Sequence, residues 1–273
     1  MDIRYIDTHS HLNLYKFADD RDEVFKKCAD EDVGMITVGT GRKDSKLAVE
    51  LAHKYEHAWA IVGLHPINVE VSDNKAREGQ ELEAGFDYDF YKELAEDSRA
   101  VGIGECGFDY FHNNDDTYEQ QREVFVAQVA LANEVGKPLM LHLRNSKDGQ
   151  GRNAYDDASE ILKTEAKVLG NAHFYAGTQE QAKSFFDIGY TISFTGVITF
   201  AQAAYQELVE YAPLDMIHGE TDCPFVAPAP YRGKRAEPWM VKQVYKTIAS
   251  MKNIDEEEVR EQLLKNAANL YKI

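Results

Sequence analysis

The segment IRYIDTHSH, residues 3–11, combines the two features on which the fold and the chemistry of this chain depend. It begins with a short run of β-branched and other strand-forming residues, Ile3 to Thr8, which predicts a β-strand. It closes with His9 and His11, two imidazoles that follow this run directly. The same combination of a short apolar run followed by a side chain able to bind a metal recurs along the sequence.

Seven further runs of this kind predict seven further strands. Several of them are continuously apolar rather than alternating, which is typical of strands covered on both faces. The runs are Gly34 to Val38, Trp59 to Leu64, Ala100 to Glu105, Pro138 to Leu143, Val168 to Phe174, Tyr190 to Phe194 and Met216 to Thr221.

Segments with a helical spacing of apolar residues lie between the predicted strands. Tyr118 to Val135 is one of them, with an apolar face that includes Val124 and Val129. The others are Asp19 to Glu31, Asp44 to Tyr55, Asp89 to Asp97, Tyr155 to Glu165, Gln179 to Asp187, Ala201 to Tyr211, Glu237 to Met251 and Asp255 to Tyr271. This alternation predicts parallel β-α units, and eight of them predict an α/β fold of the (β/α)8 TIM-barrel type.

A doubly wound open sheet is the alternative to the barrel. It is disfavoured because no glycine-rich phosphate-binding motif follows any predicted strand. We find no linker, repeat or low-complexity tract, so residues 1–273 are predicted to form a single domain. The acidic, glycine-containing stretch Ser72 to Phe86 is predicted to be a loop insertion.

The composition is that of an ordinary globular protein with one large core. The chain has 273 residues, of which 44% are hydrophobic and 28% charged. No apolar run approaches the roughly 20 residues that a transmembrane helix requires, which predicts a cytoplasmic protein without a membrane partner. The three cysteines form no C-x-x-C pair, so neither a disulfide framework nor a zinc ribbon is indicated.

The formal net charge of −17 disfavours a broad attraction to nucleic acid, whose phosphates prefer a basic surface. A polyanionic substrate would therefore depend on bound metal cations and on a local basic cluster. The sequence shows no evident requirement for an obligate protein partner.

His9 and His11 flank Ser10 at the end of the first predicted strand. Because side chains alternate along a strand, both imidazoles are expected to point to the same side. Two neutral imidazoles suit one divalent cation. Structural or surface histidines would also fit this pattern, but its place at the carboxyl end of a strand favours metal ligands.

Glu105 closes the fourth predicted strand, within GIGECGFDY at residues 102–110. The small neighbouring residues allow other groups to approach the carboxylate closely. A buried acid paired with arginine or hydrogen-bonded to the backbone is the alternative interpretation. An unpaired carboxylate after an apolar strand is costly to bury, so we predict a metal ligand able to bridge two ions.

Three more predicted strands deliver similar groups. His142 and His173 close the apolar runs of the fifth and sixth strands, although each alone would also fit a satisfied core histidine. The eighth strand leads into HGETDCP, residues 218–224, where alternation predicts that Glu220 and Asp222 point the same way. Asp222 is therefore predicted to be a ligand or a general base at the mouth of the barrel.

The predicted set comprises His9, His11, Glu105, His142, His173 and Asp222. Four histidines and two carboxylates hold two cations only if one group is shared, and Glu105 is the expected shared group. Two divalent ions about 3.5–4 Å apart would polarise a substrate and acidify an attacking water, which predicts hydrolysis. Imidazoles favour zinc, nickel or manganese, whereas magnesium prefers oxygen ligands.

These residues and their surroundings resemble the TatD-type metal-dependent deoxyribonucleases over nearly the whole chain. The matching segments are DTHSHL (7–12), GLHP (63–66), GECGFDY (104–110), HLR (142–144), HFYAG (173–177), ETDCP (220–224) and RGKR (232–235). The sequence differs from the family pattern at Cys106 and at the Phe174–Tyr175 pair, and neither difference affects a proposed ligand.

The resemblance implies how the ligands divide between the two ions. One ion would be held by His9, His11, Glu105 and Asp222, and the other by Glu105, His142 and His173. Asp222 would also accept the proton. The implied activity is hydrolysis of phosphodiester bonds in DNA, often as a magnesium-dependent 3'-5' exonuclease.

Five further residues are predicted to contact the substrate. They are His65, Arg144, Arg232, Lys234 and Arg235. His65 matches a family histidine near the site, and a packed structural role is its alternative. The three basic residues after strand eight would clamp phosphates, although such a loop is otherwise simply solvated.

Two other function classes remain open. The first is an amidohydrolase acting on a small lactone, cyclic amide or phosphoester, disfavoured because no lysine ends a predicted strand where a carbamylated bridge would lie. The second is a non-catalytic scaffold that retains the barrel, for which the loss of one or more metal ligands would be the expected sign. All six predicted ligands are present.

Overall fold

A computed structural model describes residues 3–69, 82–113, 117–147 and 149–273. Most of the predicted loop insertion, Ser72 to Phe86, lies outside these residues. The order of strands and helices agrees with the sequence prediction across the described residues.

Eight parallel strands form one sheet in the order β1-β2-β3-β4-β5-β6-β7-β8, which confirms the predicted (β/α)8 barrel. The strands are β1 Tyr5–Ser10, β2 Val33–Val38, β3 Ala58–Val62, β4 Ala100–Asp109, β5 Leu139–Arg144, β6 Gly170–Ala172, β7 Thr191–Phe194 and β8 Ile217–Gly219.

The barrel is closed by hydrogen bonds between β1 and the segment that follows β8. The Asp222 N–H donates to the His9 carbonyl at 2.9 Å, and the His11 N–H donates to the Cys223 carbonyl at 2.9 Å. These bonds lie beyond the end of β8, at the carboxyl face of the sheet. The closure therefore brings the first and the last predicted metal ligands into contact.

The described residues contain nine α-helices, one after each of the first seven strands and two after β8. They are α1 Arg21–Asp30, α2 Arg42–Lys54, α3 Tyr88–Ala95, α4 Tyr118–Val135, α5 Ala154–Glu165, α6 Gln179–Phe186, α7 Gln202–Tyr211, α8 Val241–Lys252 and α9 Glu256–Tyr271. The predicted helix Glu237 to Met251 begins instead with a 3-10 turn at Pro238–Met240.

Two apolar layers enclose the strands. The larger layer packs the helices against strand residues such as Met35 and Leu141. A smaller inner cluster joins the alternate strand positions Ile6, Ile36, Ile61 and Met140 to Ala267 and Tyr271 of α9. The barrel interior is thus a packed core beneath the carboxyl face. No helix in the described parts of the chain is long and apolar enough to cross a membrane.

Two of the predicted strand ends were wrong in ways that matter for the site. β4 continues to Asp109 because Cys106 to Asp109 remain paired with β5, so Glu105 lies within the strand rather than at its end. β8 ends at Gly219, and Asp222 follows it with a left-handed backbone, φ 56°. Strand alternation therefore does not set the direction of the Asp222 side chain.

Candidate metal centre

The six residues predicted as metal ligands converge at the carboxyl face of the barrel. β1 contributes His9 and the following His11, β4 contributes Glu105, and β5 contributes His142. His173 and Asp222 lie just beyond β6 and β8. All six are buried, and five of them line a cavity of about 580 Å³ at the barrel mouth.

Glu105 occupies the middle of this cluster, and its two oxygens face different groups of histidines. Oε1 lies 2.6 Å from His142 Nδ1 and 2.7 Å from His173 Nε2. Oε2 lies 3.4 Å from His9 Nε2 and 3.6 Å from His11 Nε2. One carboxylate therefore joins two separate pairs of imidazoles.

Asp222 completes the group formed by the two β1 histidines. Its Oδ1 lies 3.4 Å from His11 Nε2 and 3.7 Å from His9 Nε2. The two imidazole Nε2 atoms lie 3.0 Å apart. Two imidazole nitrogen atoms and one carboxylate oxygen thus face a common centre between β1 and the segment after β8.

The donor set of the cluster fits divalent cations. Nitrogen atoms of neutral imidazoles repel one another unless a proton or a cation lies between them, yet His9 and His11 meet at 3.0 Å and His142 and His173 at 3.2 Å. Imidazole and carboxylate together suit zinc, manganese or nickel. Within the described residues, three overlapping groups have metal-binding spacing: His9–Glu105–His173, His9–His11–Asp222 and His65–Glu105–His142.

Hydrogen bonds to the far ring nitrogens orient two of the histidines. His11 Nδ1 lies 2.9 Å from the Val38 carbonyl, which can only accept, so Nδ1 carries the proton and Nε2 keeps its lone pair. His142 Nε2 lies 2.9 Å from Asp109 Oδ2, which likewise leaves Nδ1 free to face Glu105. Such partners fix the tautomer that a metal ligand needs.

His173 and His9 are held differently. His173 Nδ1 lies 3.5 Å from Glu220 Oε1, a longer contact than a hydrogen bond normally makes. His9 Nδ1 is buried with no hydrogen-bond partner among the described residues. The stacked ring of His173, 3.9 Å from the His9 ring, holds His9 in place instead.

His65 has the opposite tautomer from His11. Its Nδ1 accepts a hydrogen bond from the Ile67 N–H at 3.0 Å, so in a neutral ring Nε2 carries the proton. That Nε2–H lies 3.2 Å from Glu105 Oε1. Burial and the neighbouring His142 lower the His65 pKa to about 4, which keeps the ring neutral. In this state His65 donates to Glu105 and offers no lone pair to a metal.

The electrostatic environment keeps both carboxylates of the cluster ionised. Burial raises the pKa of Glu105, but the adjacent His173, His65 and His9 rings outweigh burial and hold it well below its usual range. The pKa of Asp222 is lowered in the same way, with burial opposed by the neighbouring His11, His9 and His173 rings. Both groups are therefore available as anionic ligands at neutral pH.

The backbone around Glu105 requires a glycine. Gly104 has φ 151°, and a Cβ there would lie 2.4 Å from the Met140 carbonyl oxygen of the neighbouring strand. Phe174 and Asp222 also have positive φ values, 45° and 56°, although neither is glycine. Strained backbone of this kind is typical of functional sites, because surrounding contacts must maintain it.

Asp7 connects the base of the centre to the segment after β8. Its carboxylate accepts hydrogen bonds from the Thr221 N–H at 2.8 Å and the Thr221 hydroxyl at 2.5 Å. It also accepts from the His9 N–H at 3.3 Å. Asp7 thus couples the position of His9 to the turn that carries Asp222.

The predicted substrate contacts are only partly brought together. Arg144 and His65 line the cavity, whereas Arg232, Lys234 and Arg235 do not. Arg235 forms ion pairs with Asp20 at 2.6 Å and Glu237 at 3.3 Å, so its charge is already neutralised. Arg232 lies over the Phe200 ring and donates to the Ala227 carbonyl. The structure therefore does not place Arg232, Lys234 and Arg235 together at the cavity, as joint binding of a phosphate there would require.

Sequence reasoning missed three residues of the site. Asp109 contacts His142, Glu220 contacts His173, and Lys16 lines the cavity. Asp109 shares the parity of Glu105 along β4, so strand alternation contained a signal for it. Glu220 accepts hydrogen bonds from the Ser193 hydroxyl and the Phe174 N–H, both at 2.6 Å, and these partners are remote in sequence.

Comparison with known proteins gives a consistent result. The sequence profile described as TatD related DNase matches residues 6–272. An uncharacterized metal-dependent hydrolase, YabD of Bacillus subtilis (strain 168), is 35% identical over 98% of both chains. A protein of Erwinia tasmaniensis named 3'-5' ssDNA/RNA exonuclease TatD is 31% identical over 96% of this chain and 98% of its own.

A solved structure supports the fold. The Escherichia coli K12 protein YJJV, described as a TatD homolog, superposes with a TM-score of 0.83. The two sequences are 24% identical, and the match covers 100% of each chain.

Proposed function

The chain belongs to the TatD-related DNase family of metal-dependent hydrolases, and on that basis we propose that it hydrolyses phosphodiester bonds in DNA with two divalent cations. We further propose a 3'-5' exonuclease, in line with the name of the Erwinia tasmaniensis relative. The barrel would act as one domain over residues 1–273.

The observation that carries the two-cation proposal is the division of Glu105 between two donor groups. Oε2 faces His9 and His11, which Asp222 completes, while Oε1 faces His142 and His173. We propose that each group holds one ion and that Glu105 is shared. His65 would donate to the shared carboxylate rather than bind an ion.

Cations in these positions would polarise the phosphoryl group and lower the pKa of the attacking water. Zinc, manganese or nickel fits the imidazole-rich donor set, and magnesium would suit activity through oxygen ligands of the substrate and solvent.

Asp222 is proposed to accept the proton of the attacking water. Its carboxylate is held ionised by the neighbouring imidazoles, and it lies at the cavity wall rather than beneath the cluster. A general base must be anionic and within hydrogen-bond reach of the group that it deprotonates. The hydrogen bond of its N–H to the His9 carbonyl fixes the carboxylate beside the β1 histidines.

Arg144 is proposed to bind a phosphate oxygen of the substrate. It lines the cavity at the end of β5, two residues beyond His142. No carboxylate pairs with it in the ranges that the structure describes, so its charge is available to the substrate. Together with Lys16 it supplies local positive charge on a chain of net charge −17.

The proposal is tested with metal-replenished protein on end-labelled single-stranded DNA and, in parallel, on a panel of lactones. We expect shortening of the DNA from its 3' end that depends on added zinc, manganese or magnesium. Hydrolysis of lactones without any cleavage of DNA would overturn the nuclease proposal in favour of the amidohydrolase class.

A further inference from the structure

His112 lies at the wall of the cavity, in the segment between β4 and α4. Glu105, His142 and Arg144 line the same cavity. The His112 side chain is 34% exposed, whereas the side chains of Glu105 and His142 are almost fully buried. An imidazole in this position is open to a ligand in the cavity, and imidazole is the side chain that most readily gains or loses a proton near neutral pH.

Asp109 holds the His112 ring by one of its two nitrogens. His112 Nδ1 lies 2.8 Å from Asp109 Oδ2. The other carboxylate oxygen, Oδ1, accepts hydrogen bonds from the backbone N–H groups of Phe111 at 2.9 Å and of His112 at 2.7 Å. Asp109 is fully buried, and its own N–H donates to Gln121 Oε1 at 2.7 Å. The turn that carries His112 is therefore fixed to the end of β4.

The contact with Asp109 determines which nitrogen of His112 can exchange a proton. Burial raises the pKa of Asp109, but hydrogen bonds from His112 and His142 outweigh burial and hold it below its usual range. The ionised carboxylate can only accept a hydrogen bond, so Nδ1 keeps its proton in both charge states of the ring. In the parts of the chain that the structure describes, Nε2 has no hydrogen-bond or ion-pair partner. Nε2 is therefore the nitrogen available to a substrate oxygen.

His112 and Asp222 belong to opposite sides of the candidate metal centre. Asp222 completes the donor group that faces Glu105 Oε2. Asp109, the partner of His112, contacts His142, whose Nδ1 faces Glu105 Oε1. In the closed order of eight strands, β4 and β5 lie across the barrel from β8 and β1. An in-line displacement at phosphorus has its attacking and leaving oxygens on opposite sides, so a base on one side suits an acid on the other.

We propose that His112 is the general acid that protonates the leaving oxygen of the substrate. The inference rests on the proposed phosphodiesterase function and assigns its second proton transfer. As water adds to phosphorus and gives its proton to Asp222, the bond between phosphorus and the leaving oxygen breaks. That oxygen keeps the electron pair of the bond and takes a proton from Nε2 of the His112 imidazolium, which then regains a proton from solvent.

Two esters of thymidine 5'-phosphate that differ only in their leaving group test the proposal with the metal-replenished protein. Methanol, like a sugar hydroxyl, leaves readily only with a proton, whereas p-nitrophenolate is a stable anion near neutral pH and needs none. We expect His112→Asn to lower kcat for the methyl ester and for single-stranded DNA by about 10²- to 10⁴-fold, the usual contribution of a general acid. Hydrolysis of the p-nitrophenyl ester should stay near the wild-type rate.

Two amide substitutions at this position separate proton transfer from hydrogen bonding. In His112→Asn the amide N–H replaces Nδ1–H, so the contact with Asp109 is kept while nothing occupies the position of Nε2. In His112→Gln the longer side chain brings an N–H near the position of Nε2, where it can donate a hydrogen bond but cannot transfer a proton. Both variants are expected to lose activity on the methyl ester and to keep it on the p-nitrophenyl ester.

The matched control is His53→Gln. His53 also contacts a carboxylate, with its Nε2 2.9 Å from Asp97 Oδ1, but it lies on α2 and does not line the cavity. Its substitution should leave the hydrolysis of both esters at wild-type rates. Elemental analysis and thermal unfolding should show wild-type metal content and Tm for His112→Asn.

The outcomes separate this inference from the proposed function. Equal losses on the two esters, methyl-ester activity retained in either variant, or a reduced metal content in His112→Asn would each overturn the assignment of His112 while the nuclease function stands. If the wild type cleaves neither ester nor DNA, the proposed function fails and the inference fails with it.

Discussion

His142 lies between two carboxylates, with Nδ1 2.6 Å from Glu105 Oε1 and Nε2 2.9 Å from Asp109 Oδ2. One ring nitrogen thus faces the centre of the candidate site and the other faces a buried acid. The neighbouring His112 holds Asp109 from the opposite side, at 2.8 Å. Burial raises the pKa of Asp109, but the hydrogen bonds from His112 and His142 outweigh it and hold the pKa well below its usual range.

This contact predicts that Asp109→Asn weakens metal binding although Asp109 is not one of the proposed ligands. Loss of the negative charge makes the His142 ring less basic and less firmly oriented, which usually costs about 10- to 100-fold in metal affinity. Competition with a chromophoric chelator measures the affinity directly. Asp20→Asn, which removes a surface partner of Arg235, is the control. Metal affinity equal to that of the wild type would contradict an orienting role for Asp109.

Asp222→Asn is predicted to abolish most hydrolysis while the fold survives. The amide preserves the size of the side chain but cannot accept the proton, and general-base catalysis contributes about 10²- to 10⁴-fold. Steady-state kinetics on single-stranded DNA and thermal unfolding test the two parts separately. Unchanged turnover together with an unchanged Tm would show that Asp222 is neither ligand nor base.

His65 is predicted to support Glu105 without binding an ion. Because Nδ1 accepts from the Ile67 N–H, the Nε2–H acts as a donor to Glu105. We expect His65→Gln, which keeps an N–H donor, and His65→Ala to retain two metal ions per chain, with activity lower in the alanine variant. Elemental analysis gives the stoichiometry. Loss of one ion in both variants would instead make His65 a ligand.

His218 is predicted to make the fold sensitive to acid. Burial lowers the pKa of this imidazole to about 4, and its Nε2 contacts the Thr191 hydroxyl at 2.9 Å. As the pH falls, His218 therefore binds a proton near pH 6.5 in the unfolded chain but only near pH 4 in the folded chain. The free energy of unfolding is therefore unaffected by His218 above pH 6.5, and it decreases as the pH falls from 6.5 towards 4.

Urea unfolding at pH 7 and pH 5 checks this prediction. Protonation of His218 in the unfolded chain should lower the free energy of unfolding of the wild type by about 2 kcal/mol between pH 7 and pH 5. His218→Gln, which keeps a polar contact to Thr191, should show a correspondingly smaller loss. An equal loss in both proteins would assign the acid sensitivity to other groups.

The barrel and the convergence of the six candidate ligands were predictable because both depend on local sequence. A short apolar run predicts each strand. Because parallel strands of a barrel end at one face, polar residues that follow those runs are expected to lie close together. Strand alternation predicts that His9 and His11 point to the same side, and their Nε2 atoms do lie 3.0 Å apart. The left-handed turn at Asp222 was not predictable, since hydrogen bonds from Thr221 to Asp7 form that turn across the whole length of the chain.

The basic residues after β8 illustrate what a sequence motif cannot decide. The motif RGKR at residues 232–235 predicts one positive cluster. In the structure, however, Arg235 forms an ion pair with Asp20, and the Arg232 guanidinium lies over the Phe200 ring. Only the packed structure places these partners beside the loop.

We propose that two metal ions share Glu105, and metal analysis of Glu105→Ala tests this claim. After replenishment with zinc or manganese and removal of free metal, the wild type should contain two ions per chain. In the variant both donor groups lose their shared carboxylate, so we predict the loss of both ions and of DNA hydrolysis together. A folded Glu105→Ala protein that still binds two ions per chain would contradict the claim.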